Sequence, residues 1–187
     1  MWISVYRKNC RPLLVGVYYG RQETRTSKIE IQHEMLLLQE EITEMSNEGE
    51  ILLAMDGNAK IGLLGEDISR NGRLLLETFK QTGLVVMNGT EKCQGQVTRI
   101  KTKNGKEKSA IDFVLANEQV AKWLNEIKTD EDGMIRVKGK NETDHNTVTI
   151  NIEIDNLDHV KILKEQHGTL GPRQKNGLNM KMSFRID

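Results

Sequence analysis

Two short apolar runs flank a long amphipathic segment near the start of the chain, and this succession limits the folds open to it more than any other feature. Leu13 to Tyr19 is compact, apolar and rich in β-formers, so it reads as a buried strand ending near Gly20. Ile31, Met35, Leu38, Ile42 and Met45 then recur at steps of four and three, which places them on one face of a helix from Ser27 to Asn47. Ser27 with Glu30 forms a capping-box pattern, and Gly49 is placed to end the helix. Ile51 to Met55 is a second apolar run of strand length, and it opens into the polar loop Asp56-Gly57-Asn58. A buried strand that ends in a polar, glycine-bearing loop displays side chains at a sheet edge.

The same reading carries down the chain. Asn71 to Gln81 is a shorter helix with Leu75 and Phe79 inward and Gly83 beyond its end, followed by a third strand at Leu84 to Asn88. Val97 to Thr102 and Ser109 to Leu115 read as hairpin arms joined by Asn104-Gly105. Asn117 to Asn125 is a short helix, and Val148, Ile150, Ile152 and Ile154 alternate with polar residues as a half-buried strand. Strands interleaved with helices predict a layered α/β domain over residues 1–154, with a largely antiparallel or mixed sheet. Residues 155–187, with Gly168, Gly171, Pro172 and Gly177, read as a flexible tail or linker.

Composition narrows the functional classes only a little. The 187 residues suit one domain, and no stretch approaches the ~18 consecutive apolar residues of a membrane span. Cys10 and Cys93 form no CxxC or Cys/His cluster, which argues against a disulfide scaffold or a zinc site and points to a reducing, intracellular compartment. With 27 basic and 27 acidic residues, bulk charge does not favour nucleic acid. Locally, Arg99, Lys101, Lys103, Lys106 and Lys108 crowd one segment opposed only by Glu107. That segment is either a solvated hairpin face or a surface that meets phosphates.

The chemistry-bearing residues come in an ordered series: Tyr18 at a strand end, Asp56 with Asn58 after a strand, Ser109 with Asp112, and Asp144 with His145 before the final strand. Each alone has an ordinary structural explanation, since Asp, Gly and Asn are turn formers and a strand Asp can cap a loop. Together, carboxylates, an amide and an imidazole can divide the work of phosphodiester hydrolysis: orienting water, neutralising phosphate charge and helping the leaving oxygen depart.

This order resembles the C-terminal half of the endonuclease/exonuclease/phosphatase superfamily, especially the endonuclease domain of non-LTR (LINE-like) retrotransposons and its craniofacial-development-protein-like derivatives. The resemblance implies a DNase I-like α/β/β/α sandwich, and a Mg²⁺-dependent hydrolase that meets DNA through its phosphate backbone. It further implies that Asp56 orients or deprotonates water, that Asn58 and Tyr18 bond phosphoryl oxygens, and that His145 is held in one tautomer by Asp112. Asp144 would face the metal, and Thr98, Arg99, Lys101 and Ser109 would contact substrate. Tyr19 competes with Tyr18 for its role, and Thr143 stands where the family usually has Ser. The family also usually has Gly before the Asp and a bulky residue after it, where this chain has Met55 and Gly57.

The superfamily's N-terminal half supplies an Asn and a metal-binding Glu, and Met1 to Pro12 contains no acidic residue to replace them. The expectation is therefore a partial four-layer sandwich lacking that half, weak or inactive as it stands, with an apolar sheet face awaiting a partner or upstream segment. A phosphatase of the same superfamily and a non-catalytic nucleic-acid- or protein-binding remnant are the alternatives. A nuclear destination follows from the resemblance alone, because no compact Lys/Arg run marks an import signal.

Overall fold

The computed structural model describes residues 1–23, 26–101, 107–134, 144–154, 157–164 and 180–185. In chain order these form β1 (Trp2–Arg7), β2 (Leu13–Tyr19), α1 (Lys28–Glu48), β3 (Glu50–Asp56), α2 (Arg70–Thr82), β4 (Val85–Val86), β5 (Cys93–Gln94) and β6 (Arg99–Lys101). They continue as β7 (Glu107–Ser109), β8 (Asp112–Ala116), α3 (Glu118–Trp123), β9 (Leu124–Thr129), β10 (Val148–Glu153), β11 (Leu157–Lys164) and β12 (Met180–Arg185).

The central unit is β2–α1–β3. The two strands pair in parallel, Leu13 beside Glu50 through Tyr19 beside Asp56, and α1 makes the crossover between them. Ser27 caps α1 with a complete capping box to Glu30, and Gly49 ends it with its N–H bonded to the Met45 carbonyl. The side chains buried along α1 are Ile31, Met35, Leu38, Ile42 and Met45, the stripe read from spacing. They meet Leu14, Leu53, Met55, Phe113 and Leu115 on one face of a six-stranded sheet ordered β11-β1-β2-β3-β8-β4, with Leu75 and Phe79 of α2 completing that layer.

The opposite face of the same sheet presents Leu13, Val15, Leu52, Val114 and Ala116. These pack on Ile127, Val148, Ile150 and Ile152 of a four-stranded sheet ordered β12-β10-β9-β5. The described residues thus stack α on β on β. One face of the large sheet is packed by α1 and α2 and the other by the smaller sheet, whose outer face carries Asn125, Lys128, Thr149, Asn151 and Glu153. The bare apolar sheet face expected from the sequence is not found among the described residues.

Several boundaries differ from the reading above. β7 stops at Ser109, and the chain crosses through Ala110 and Ile111 into the large sheet, so β8 pairs with β3 rather than extending the hairpin. The crossing is held by the Thr98 hydroxyl, which accepts the N–H groups of both Ile111 and Asp112 at 3.0 Å. Asn104-Gly105 lies outside the described residues. The third strand shrinks to β4, because beyond it the Asn88 side chain substitutes for a ladder neighbour, donating to the Asp112 carbonyl and accepting from Val114 N–H.

Strands β1 and β9 were not anticipated, and two stretches read as tail are paired. β11 lies antiparallel to β1, with Tyr6 and His159 stacked at 4.4 Å, and β12 lies parallel to β10. Edge pairing is carried by backbone groups and needs no apolar alternation, which is why composition pointed elsewhere.

Ile42 is fully buried and Leu36, on the same helix, is 58% exposed. Chemical denaturation should show Ile42→Ala losing about 2–5 kcal/mol, while Leu36→Ala stays within about 0.5 kcal/mol of the parent.

Candidate active site

Asp56 closes β3 and Asp112 opens β8, and the antiparallel register places them directly opposite one another. Both are almost wholly buried. Two carboxylates facing each other across a ladder repel, and burial removes the water that would screen them. The positive group that meets them is His145, which follows Asp144 into the site just ahead of β10.

The imidazole Nδ1 lies 3.1 Å from both Asp112 oxygens. A carboxylate can only accept, so Nδ1 carries the hydrogen and Nε2 is turned the other way. There it stands 3.9 Å from Asp56 Oδ2 and 3.9 Å from Asp144 Oδ1, close enough for charge attraction and too far for a hydrogen bond. Asp144 gives its second oxygen to Arg99, whose Nε is 2.6 Å away. Three carboxylates thus surround one imidazole.

The electrostatics follow from that count. Burial pushes the Asp56 carboxyl up to about 7, the Asp112 charge adds to the rise, and His145, the Asn58 N–H and Arg99 pull it back only in part. At His145 burial works against the imidazolium, but the hydrogen bond and charge of Asp112, with the charges of Asp56 and Asp144, outweigh it and raise the pKa above the ordinary value.

The segment Val97 to Ile100 ties the pieces together. Thr98 N–H bonds the Ser109 carbonyl and its hydroxyl holds the amides at Ile111 and Asp112, while its carbonyl accepts from Asn146 N–H at 2.7 Å. Ile100 N–H bonds the Asp144 carbonyl, Asn146 Nδ2 bonds the Val97 carbonyl, and Arg99 forms a lone bridge with His145. One stretch of backbone therefore sets Asp112 and His145 relative to each other.

The Asp56 loop is equally constrained. Gly57 N–H bonds the Ile111 carbonyl and Gly20 N–H bonds the Asp56 carbonyl, both at 2.7 Å. A Cβ on Gly57 would stand 2.8 Å from the Phe113 ring, so in this chain the residue between Asp and Asn must be small. Asn58 takes a left-handed backbone (φ 45°), its N–H bonds Asp56 Oδ1 at 2.9 Å, and its side chain donates to the Gly20 carbonyl. Asn tolerates that conformation better than other non-glycine residues.

Asp56, Asp112, His145, Asp144 and Arg99 are therefore brought together, with Asn58 bonded to Asp56. Other residues named from the sequence lie differently. Thr98 and Ser109 are buried, and the Thr98 hydroxyl is engaged by the Ile111 and Asp112 amides. Tyr18 packs on the α1 side of the sheet and donates to Glu34 at 2.5 Å, with Arg21 on the other Glu34 oxygen at 3.0 Å. Burial, followed by the nearby Glu34 charge and hydrogen bond, raises the Tyr18 pKa strongly. It is Tyr19 that stands beside Asp56 in the ladder. The Lys101 side chain, Lys103, Lys106 and Thr143 lie outside the described residues. Asn88 and Asn146 were missed, and their only signal in the sequence is an asparagine at a strand boundary. Among the described residues no helix is long and apolar enough to cross a membrane.

Solved structures share this arrangement of layers. The chain superposes on the endonuclease domain of TRAS1, a telomere-specific non-LTR retrotransposon, with a TM-score of 0.55 and 21% identity, covering 78% of this chain and 60% of that one. The 3′-5′ exonuclease NExo from Neisseria meningitidis gives a TM-score of 0.55 at 17% identity, over 78% and 62%. The APE2 catalytic domain of Xenopus laevis gives 0.53 at 16% identity, over 78% and 52%. The chain thus spans between about half and two thirds of the length of these structures, and at such identities they show the fold alone, a DNase I-like α/β architecture. No curated protein matches the chain in sequence. The model of the family described as endonuclease-reverse transcriptase matches residues 3–148, from β1 to the first residue of β10 and including every residue of the site, so the chain belongs to that family.

Proposed function

We propose that this site hydrolyses phosphodiesters of DNA with the help of a divalent cation, Mg²⁺ by preference, as an endonuclease domain of retrotransposon origin. The observation that carries the reading is His145, fixed at Nδ1 by Asp112 and turned at Nε2 toward Asp56 and Asp144. Such an imidazole, its pKa raised, donates a proton or hydrogen bond to a phosphoryl oxygen. Asp56, titrating near neutrality, is suited to take a proton from an attacking water. Asn58 and the Gly20 carbonyl hold the loop that carries it.

The residues fit a hard cation. Ligand atoms of Asp56, Asp112 and His145 lie within 4.8 Å of one another, Asp144 adds a further carboxylate nearby, and negative charge exceeds positive in the cluster. Carboxylate oxygens are what Mg²⁺ takes, with waters completing an octahedron. Because Asp112 already occupies Nδ1 and Asp56 is assigned the proton of the water, Asp144 is the carboxylate best placed to hold the ion. When bound, the cation neutralises charge on the phosphate. DNA as substrate accords with the family and with the basic strand pair β6/β7 beside the site.

Two experiments test this. Purified chain should nick supercoiled plasmid in Mg²⁺ and stop in EDTA, and His145→Ala should lower the rate by about 10²–10⁴-fold with circular dichroism unchanged. A folded chain that nicks nothing overturns the catalytic reading and leaves binding. Turnover of a soluble phosphate monoester in preference to plasmid would make the site a phosphatase.

The second concerns pH. Asp56 and His145 both have folded pKa values above their unfolded ones, so the native state holds protons more tightly. In EDTA, stability should fall as pH rises from about 4 through 7, because the contribution of each group is present below its unfolded pKa and lost on passing its folded one. Asp56→Asn should flatten the acidic part of that decline, and urea titrations from pH 4 to 8 would show it. Mg²⁺ should oppose the decline at the upper end, since an ion bound only by the native state stabilises it.

A further inference from the structure

Arg99 belongs at once to the basic strand pair and to the acid cluster. Its neighbours on either side are fixed, Thr98 by Ser109 and Asn146 and Ile100 by the Asp144 carbonyl, so the backbone delivers its side chain to Asp144. The contact is short, Nε to Oδ2 at 2.6 Å, yet the two side chains are 33% and 26% exposed, so solvent and solutes reach the pair. A guanidinium has five donors in a planar fork, and that fork matches a phosphate as well as it matches a carboxylate. The remaining Asp144 oxygen stands 3.9 Å from His145 Nε2, the atom to which the functional reading assigns the phosphoryl group. Arg99, Asp144 and His145 are thus linked in one line, with a carboxylate between two cations.

We propose that Arg99 is a substrate-binding residue that exchanges partners: Asp144 holds it in the free protein, and a backbone phosphate of the substrate takes it over, leaving Asp144 to the imidazole of His145. This rests on the phosphodiester reading above. The physical argument is substitution of like for like. The fork leaves one oxyanion for another without being desolvated alone, and Asp144 keeps the His145 imidazole as its positive neighbour. In the free protein the pair also lowers the repulsion among three clustered carboxylates, because one of them is already neutralised. Arg99 would then contribute to substrate affinity only after giving up Asp144, and removing Asp144 should make DNA binding tighter chiefly through Arg99.

The test is a double-mutant cycle on binding of a short DNA duplex to the full chain in EDTA, with circular dichroism on every variant. Asp144→Asn should tighten binding about fivefold in the parent background. It should do the same in Lys108→Gln, which removes one charge from the same strand pair without touching Asp144, and the gain should be clearly smaller in Arg99→Gln, where only relief of Asp144's own repulsion of phosphate remains. Arg99→Gln alone should weaken binding and reduce the salt slope by about one. Should Asp144→Asn fail to fold, Asp144→Ser completes the cycle. Equal tightening in all three backgrounds, or none in the parent, overturns the exchange while leaving the functional reading in place. A parent chain that binds the duplex neither in EDTA nor in Mg²⁺ overturns both.

Discussion

Two aspartates buried opposite each other at the end of the central ladder are the constraint on which the rest of this structure turns. Asp56 and Asp112 are register partners in β3 and β8, each almost wholly removed from water. Like charges so placed oppose folding, and the ordinary remedy of solvent is denied them. The protein answers with an imidazole bonded to one acid and turned toward the other, and with proton retention on Asp56 up to about pH 7. What is a liability for stability is what a hydrolytic site needs: a base near neutrality and a cation-seeking cluster.

Such a cluster works only if its members are held against their mutual repulsion, and the holding is done by groups without charge. Thr98 contributes its hydroxyl to two amides and its backbone to Ser109 and Asn146, while Asn88 bonds the backbone on both sides of Phe113. Asn146 adds a bond to the Val97 carbonyl. These buried polar side chains satisfy main-chain groups at the points where regular strand pairing stops, which is where β8 separates from β7 and where β4 ends. The irregularities of the sheet are therefore the supports of the site.

Local patterns were read well from the sequence where a single element buries a face. The α1 stripe, its capping box, the strands at β2 and β3, the αL glycine after α2 and the alternation of β10 all agree with the structure, because apolar spacing and cap chemistry act within a few residues. The elements overlooked or misjoined were β1, β9, β11, β12 and the break between Ser109 and Asp112; β1 and β9 bury Trp2, Val5, Leu124 and Ile127, but without a clean alternation to announce a strand. At the site, Asp56, Asp112, Asp144 and His145 were legible from their order. The Thr98 hydroxyl accepts two backbone amides thirteen and fourteen residues away, a pairing that no local pattern announces.

The sequence by itself determined which acidic, amide and imidazole side chains arrive at strand ends and in what order, because residue identity and local periodicity are properties of neighbouring positions. Only the tertiary structure decided which atoms face which: that His145 bonds Asp112 through Nδ1, that Asp144 is shared with Arg99, and that Tyr18 is turned to Glu34 while Tyr19 stands beside Asp56. Those outcomes follow from strand register and from long-range hydrogen bonds. A shift of one residue in β3 against β8 would separate the two aspartates without altering a single local pattern.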